Sequence, residues 1–364
     1  MNPFKTSKII FSAYLLIFLG AAATHVHGQK LGISFLHDDW AVTCDNTLTC
    51  RMEGYSAEGG DSSGGVLITR SAGPNARLHG AVTLGGYDDT TSDPCPPVLK
   101  LMVDGEEKAR LKYPGKDSST YPLTQAQVLV LLAAAKNDKM IEFEGGDESF
   151  VLSGKGISAV MLKMDDIQGR VGTPGALIRK GKKPETSVRA PVPMPVIRAA
   201  KTIDKPVSRE LTASEAQAIE PMLWKTKGEV CSLHEPEQEN GREAESFTLT
   251  PVDERHALIS TPCMMAMYQG TVAYWLTDKR GKKVIKFLLE DVDAYYVGES
   301  GIIASSGRGR GLGDCLGGSD WVWNGTDFLR SSEWSTGRCR GQLGGTWHGE
   351  NSILTYVAKV IPPK

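Results

Sequence analysis

The chain has 364 residues, with 41 Lys and Arg against 43 Asp and Glu, a formal charge of −2, and 40% hydrophobic residues. Charge this balanced, spread along the chain, leaves no electrostatic footprint for nucleic acid. Beyond residue 28 no apolar run reaches the roughly 20 residues needed to span a bilayer.

The first 28 residues join Lys5 and Lys8 to an apolar stretch from Ile9 to Ala23, followed by small residues. This is the layout of a secretory signal peptide, with cleavage expected after Gly28 or alternatively Ala23. Its removal takes two lysines and no acids, moving the formal charge from −2 to −4. A periplasmic or secreted protein is expected.

Residues 29–183 predict a mixed α+β domain. Strand-like runs occur at 31–36, 40–44, 65–70, 81–84 and 98–105, where β-branched and apolar residues are bounded by Gly, Asp and Pro. Thr124 and Gln127 form a capping-box pair that opens a helix over 124–137. Ile157, Val160, Met161, Met164 and Ile167 repeat with helical spacing up to Gly169, which makes the two methionines core residues. Residues 184–207 fall within a stretch carrying five prolines and predict an extended linker. From 208 onward, Thr212 and Glu215 cap a short helix to about Lys225. Eight strand signals follow, so residues 208–364 predict a mostly antiparallel β domain.

Seven cysteines suit an oxidising compartment. Nearest-neighbour pairing joins Cys231 to Cys263 and Cys315 to Cys339, one of three connectivities open to those four. Cys44 and Cys50 close a small loop and leave Cys95 odd, or Cys44 pairs with Cys95. No CxxC spacing supports a zinc site, and neither metal nor cofactor is expected.

Catalytic motifs are missing. "GGDSSGG" at 59–65 carries one serine too many for a trypsin-like turn, and "DDTTSD" at 88–93 lacks calcium-loop spacing, leaving an ordinary polar loop. Asp165 and Asp166 lie about 100° apart on their helix, which suits solvated helix-end carboxylates better than an acid–base pair. No catalytic residue is assigned. An envelope hydrolase using His234 or His256 as base stands as a third reading.

One segment stands apart: "GRGRGLGDCLGGSDWVWNG", residues 307–325, with seven glycines, two arginines, one cysteine and two tryptophans. Arg308 and Arg310 offer planar donors suited to carboxylate or phosphate. Asp314 is placed to hold one of them, and a Cys315 bridge anchors the loop. The glycines permit left-handed backbone in which successive amides converge on an anion. Asn324-Gly325 then predicts a type I′ hairpin opposing Trp323 to Thr326 and Trp321 to Phe328. The candidate binding residues are therefore Arg308, Arg310, Asp314, Trp321 and Trp323; the competing reading assigns the aromatics to the core.

This block, with "WAVTCDN", "LSGKGISAVMLKMDDIQGRVGTPGAL" and "CMMAMYQGTVAYW", resembles a bacterial envelope family catalogued as domain of unknown function 1176. The resemblance implies export and two halves, and supplies no activity. Tyr268-Gln269 departs from the small polar pair expected in the family. The first half is also similar to the exported invasion-associated locus B proteins. The expected function is non-catalytic binding of an envelope protein or an anionic ligand, with inhibition of a lysozyme-like enzyme as the alternative.

Overall fold

Apolar and β-branched runs dominate the chain, and most become antiparallel strands. The computed structural model describes residues 31–57, 63–85, 95–115, 120–146, 148–235 and 245–363. The expected signal peptide, residues 59–62 and the "DDTTSD" segment lie outside them.

The first half places β1 (Ile33–His37), β2 (Trp40–Cys44), β3 (Cys50–Tyr55), β4 (Gly64–Arg70) and β5 (Leu78–Leu84) in one sheet. Next come β6 (Val98–Val103), β7 (Glu106–Lys112) and β8 (Tyr121–Leu123), then α1 (Gln125–Lys136), β9 (Ile141–Gly145), β10 (Glu148–Leu152) and α2 (Ile157–Gln168). β8 completes the first sheet beside β5, and β10-β9-β6-β7 form a second. Both sheets and both helices share one buried cluster, in which Val42, Ile68, Leu101, Phe143, Leu131 and Met164 take part. Met161 and Met164 are buried, as their spacing predicts. α1 carries the expected capping box from Thr124 and Gln127, and α2 ends at Gly169 in the left-handed region.

Asp165 corrects the expectation of a solvated helix end. Its side chain is fully buried, accepts from the Leu177 and Ile178 amides at 2.7 and 3.2 Å, and faces Arg70 at 3.8 Å. Arg170 is equally buried and lies 3.8 Å from Glu185. Desolvation raises the Asp165 pKa and lowers that of Arg70 to about 10. Only Asp166 remains exposed.

The proline-rich segment is built into the fold. Its Val188 and Ile197 are buried, Val192 N–H donates to Thr47 O at 3.2 Å, and Ala200 N–H donates to Trp323 O at 3.0 Å. Within it β11 (Val196–Arg198) pairs in parallel with β22 (Lys359–Ile361) at the end of the chain.

The second half holds β12 (Arg209–Glu210), α3 (Ala213–Lys227), β13 (Thr248–Pro251), β14 (His256–Met265), β15 (Gly270–Asp278) and β16 (Val284–Val292). Its second sheet runs β17 (Tyr295–Val297), β18 (Ile302–Arg308), β19 (Leu316–Trp323), β20 (Phe328–Ser335) and β21 (Ile353–Val357) in sequence order. Antiparallel pairing throughout these two sheets matches the expected β-rich half.

The halves meet at Tyr55 of β3. Its hydroxyl donates to the buried Glu53 carboxylate and accepts from Arg338 N–H at 3.0 Å and the Trp347 indole N–H at 3.2 Å. Gly337 must be glycine here: its φ is +84°, and a Cβ would stand 2.3 Å from that hydroxyl. Leu31–Lys364 forms one compact unit, so a division into two domains is not confirmed. No helix among the described residues is long and apolar enough to cross a membrane.

Disulfides join Cys44 to Cys50, Cys231 to Cys263 and Cys315 to Cys339. Cys95 is free and half-buried, which removes the Cys44–Cys95 alternative.

Candidate functional site

The glycine-arginine segment is ordered by four devices. β18 runs as far as Arg308 and pairs Gly307 with Gly317 and Arg308 with Leu316. A tight turn follows, with Gly313 N–H donating to Arg310 O at 2.9 Å. Beyond it the Cys315–Cys339 bridge ties the segment to the chain after β20. Asp314 is the internal anchor: its buried carboxylate takes a two-pronged contact from Arg310 and the Gly341 N–H at 2.6 Å. The Arg310 hydrogen bonds lower the Asp314 pKa.

Arg308 is left differently. Its backbone is held by Gln269, whose Oε1 accepts from Arg308 N–H at 2.8 Å. Its side chain is exposed, and among the described residues no hydrogen bond or ion pair engages the guanidinium. Two arginines two residues apart thus have separate fates, one locked and one free.

Arg308 stands on the edge of a cleft of about 590 Å³. Gly307, Gly317 and Gly318 line it along the β18–β19 pair, where the lack of side chains keeps the strand surface bare. A Cβ at Gly318 would come within 2.1 Å of Ser305 O. Around these lie Gln269, Asp291, Ser305, Arg330, Glu333 and Trp334. Ser305 Oγ donates to Asp291 Oδ2 at 2.9 Å and accepts from Ser319 N–H at 3.1 Å. Arg330 pairs with Glu333 and lies over the Trp321 ring at 5.7 Å. The cleft therefore offers one unengaged cation, an indole and a set of carboxylates already partnered by hydroxyl or guanidinium.

The family model described as "Protein of unknown function (DUF1176)" matches residues 34–351, from the first strand through the cleft and the Cys315–Cys339 bridge. The chain belongs to the DUF1176 family. It is also 24% identical over 335 residues to the Escherichia coli (strain K12) protein described as uncharacterized protein YpfG, across 87% of this chain and 90% of that one. No solved structure matches. Neither match shows a likeness to the invasion-associated locus B proteins.

In this DUF1176 chain the aromatic half of the expected site turns inward. Trp323 is fully buried and Trp321 is 8% exposed, both in a cluster with Phe328, Leu276 and Ile303. The register differs as well. Asn324 to Asp327 form a four-residue connection, capped by Asn324 Oδ1 accepting from Thr326 and Asp327 N–H at 2.9 and 2.8 Å. Trp323 therefore opposes Phe328, and Trp321 opposes Arg330. The local carboxamide hydrogen bonds favour this wider turn over the type I′ form.

An amide nest for an anion is not formed either. Arg308 N–H goes to Gln269, Gly309 N–H to Cys315 O at 2.9 Å and Gly313 N–H to Arg310 O. Of the four glycines between 307 and 313 only Gly313 has positive φ. The charge this loop presents is carried by side chains and not by converging amides.

The two histidines weighed as bases lie elsewhere in the DUF1176 fold. His234 is buried against Trp224 and Phe247, bonds Thr261 Oγ1 at 2.8 Å, and has its pKa lowered by desolvation. His256 is held through Nδ1 by Asp253 at 3.0 Å and sits edge-on to Trp323; it does not line the cleft. Among the described residues two groupings, Cys231/Cys263/Glu290 and Asp314/Cys315/Cys339, have metal-like spacing, but both cysteines of each are consumed by a disulfide.

Gln269, Asp291, Ser305, Glu333 and Trp334 escape a sequence reading because they converge from four separate segments. A single trace was visible: Gln269 belongs to the dipeptide that departs from the expected family pattern, and it is the residue that holds Arg308.

Proposed function

We propose that this is an exported protein that binds its partner without transforming it, and that Arg308 and the adjoining cleft recognise an anionic group, a carboxylate or phosphate. One observation carries the reading: Arg308 is free at the edge of the 590 Å³ cleft, while Arg310 beside it is consumed by a buried carboxylate. A planar guanidinium with open donors is suited to such groups. Three disulfides and the lysine-then-apolar start of the sequence support export.

The test is capture from envelope extract by residues 29–364, compared with Arg308→Ala and run at low and high salt. Capture lost in the variant and weakened by salt is the expected result. Equal capture by both proteins overturns the assignment of Arg308. If the captured partner is a lysozyme-like enzyme whose activity falls on binding, the same surface serves as an inhibitor.

A further inference from the structure

Three turns meet beside the Arg308 loop, and each exposes a large apolar side chain. Met267 and Tyr268 connect β14 to β15 between Ala266 and Gln269, which are joined at 2.9 Å. Leu312 occupies a corner of the Arg310–Gly313 turn. Leu343 occupies a corner of the Gln342–Gly345 turn, closed by Gly345 N–H to Gln342 O at 2.9 Å. Met267 is 97% exposed, Leu343 69%, Leu312 59% and Tyr268 49%. Turn corners ordinarily take Gly, Pro, Asn, Asp or Ser, so apolar residues at all three run against local preference.

Single exposed apolar residues are common and mean little. These three turns, however, are fastened together. Gly344 N–H donates to Gly313 O at 2.8 Å, Gly341 N–H to the Asp314 carboxylate at 2.6 Å, and Gln269 holds Arg308 N–H at 2.8 Å. The Cys315–Cys339 bridge joins the second turn's segment to the third's. A Cβ on Gly311 would lie 3.4 Å from the Tyr268 ring. The apolar tips thus form one braced patch from distant parts of the chain.

Charge decides what it faces. Segments 264–271, 307–315 and 337–348 hold four arginines and one carboxylate, Asp314, which is buried. Arg338 donates to Asp38 O, Arg340 pairs with Asp39 and Arg310 pairs with Asp314, so the charge left open to a ligand is that of Arg308. Apolar tips on separate turns, with the unpaired Arg308 four residues before Leu312, match a boundary where acyl chains lie beneath phosphates.

We propose that the three turns dock the protein on an anionic phospholipid bilayer, with Met267, Leu312 and Leu343 entering the headgroup–acyl boundary and Arg308 held at lipid phosphates. The inference shares Arg308 with the proposed function but rests on the apolar tips.

The test is sedimentation of residues 29–364, disulfides intact, with phosphatidylcholine vesicles that contain or lack phosphatidylglycerol. Binding is expected with the anionic lipid and should weaken with salt. The Met267→Ser/Leu312→Ser/Leu343→Ser variant should lose at least about tenfold in vesicle affinity, and Arg308→Ala about fivefold. Met267→Ser alone, at a side chain almost wholly in water, guards against misfolding and should also bind more weakly. Equal sedimentation with both lipids, or undiminished binding by the serine variants, overturns the proposal. So does a patch that captures a protein and no vesicle. Capture from vesicle-free extract by the serine variants reads the proposed function separately, since it leaves Arg308 in place.

Discussion

Replacing Tyr55 by Phe removes one oxygen and tests whether the two halves fold as a unit. That oxygen donates to Glu53 and accepts from Arg338 N–H and the Trp347 indole. Glu53 is 4% exposed and Trp347 fully buried, so neither recovers a water partner, whereas the Arg338 amide is only part-buried. At about 1–3 kcal/mol for each buried polar group left unmet, two such groups predict a loss of about 3 kcal/mol. The ring itself still fills its site, so no cavity term is added. The loss should also grow with pH, because the Tyr55 hydrogen bond favours the Glu53 carboxylate and its removal raises the Glu53 pKa further. Guanidinium unfolding followed by tryptophan fluorescence reads both effects. A change under about 1 kcal/mol at neutral pH, or a cost independent of pH, would refute the claim that this hydroxyl bridges the halves.

Four other outcomes follow from the contacts of Tyr55 and of the glycine-arginine segment. Burial raises the folded pKa of Glu53 above its ordinary 4.5, so the folded chain keeps a proton the unfolded chain releases; stability falls as pH rises from 4.5 through the folded value, and Glu53→Gln should flatten that slope in a pH series of unfolding curves. Gly337→Ala combines a positive φ with a Cβ 2.3 Å from the Tyr55 hydroxyl and should cost about 2–4 kcal/mol, measured by thermal unfolding. Asp314→Asn weakens the two-pronged hold on Arg310 and should cost about 2 kcal/mol at neutral pH. Because the folded Asp314 pKa is lowered, its contribution is present above the ordinary 3.8 and lost as pH falls through the folded value, so the two proteins should converge in acid. Arg308→Ala should leave stability within about 0.5 kcal/mol.

What was legible in the sequence was local. The capping boxes at Thr124 and Thr212, the glycine stop at 169 and the runs that became β2, β4 and β15 all carry their cause within a few residues. β7 stayed hidden because its residues, Glu-Glu-Lys-Ala-Arg-Leu-Lys, form an edge strand whose side chains mostly face water. Proline density read as a spacer, yet the partner of β11 is β22 at the far end of the chain, and no local pattern announces a parallel pair that distant. Asp165 misled for a similar reason. Its neighbours Arg70, Leu177 and Ile178 come from other segments, so an acid at a helix end looked solvated when it was an internal tie.

The glycine-arginine segment shows where such limits bear on function. Composition alone makes Arg308 and Arg310 equivalent, and aromatic spacing makes Trp321 and Trp323 look presented. Burial separates them: Asp314 takes Arg310, the core takes the tryptophans, and Gln269 holds the Arg308 backbone while leaving its side chain free. The segment's glycines work chiefly by clearing space, keeping the cleft bare at Gly317 and Gly318 and admitting the close approach of β18 at Gly318. Rigidity supplied by the disulfide and the buried carboxylate means that ordering cost is met during folding, before any partner arrives. With the backbone already braced, only the Arg308 side-chain rotamers remain to be ordered on binding, which is the physical reason for proposing recognition at Arg308 and not at an arginine on a looser loop.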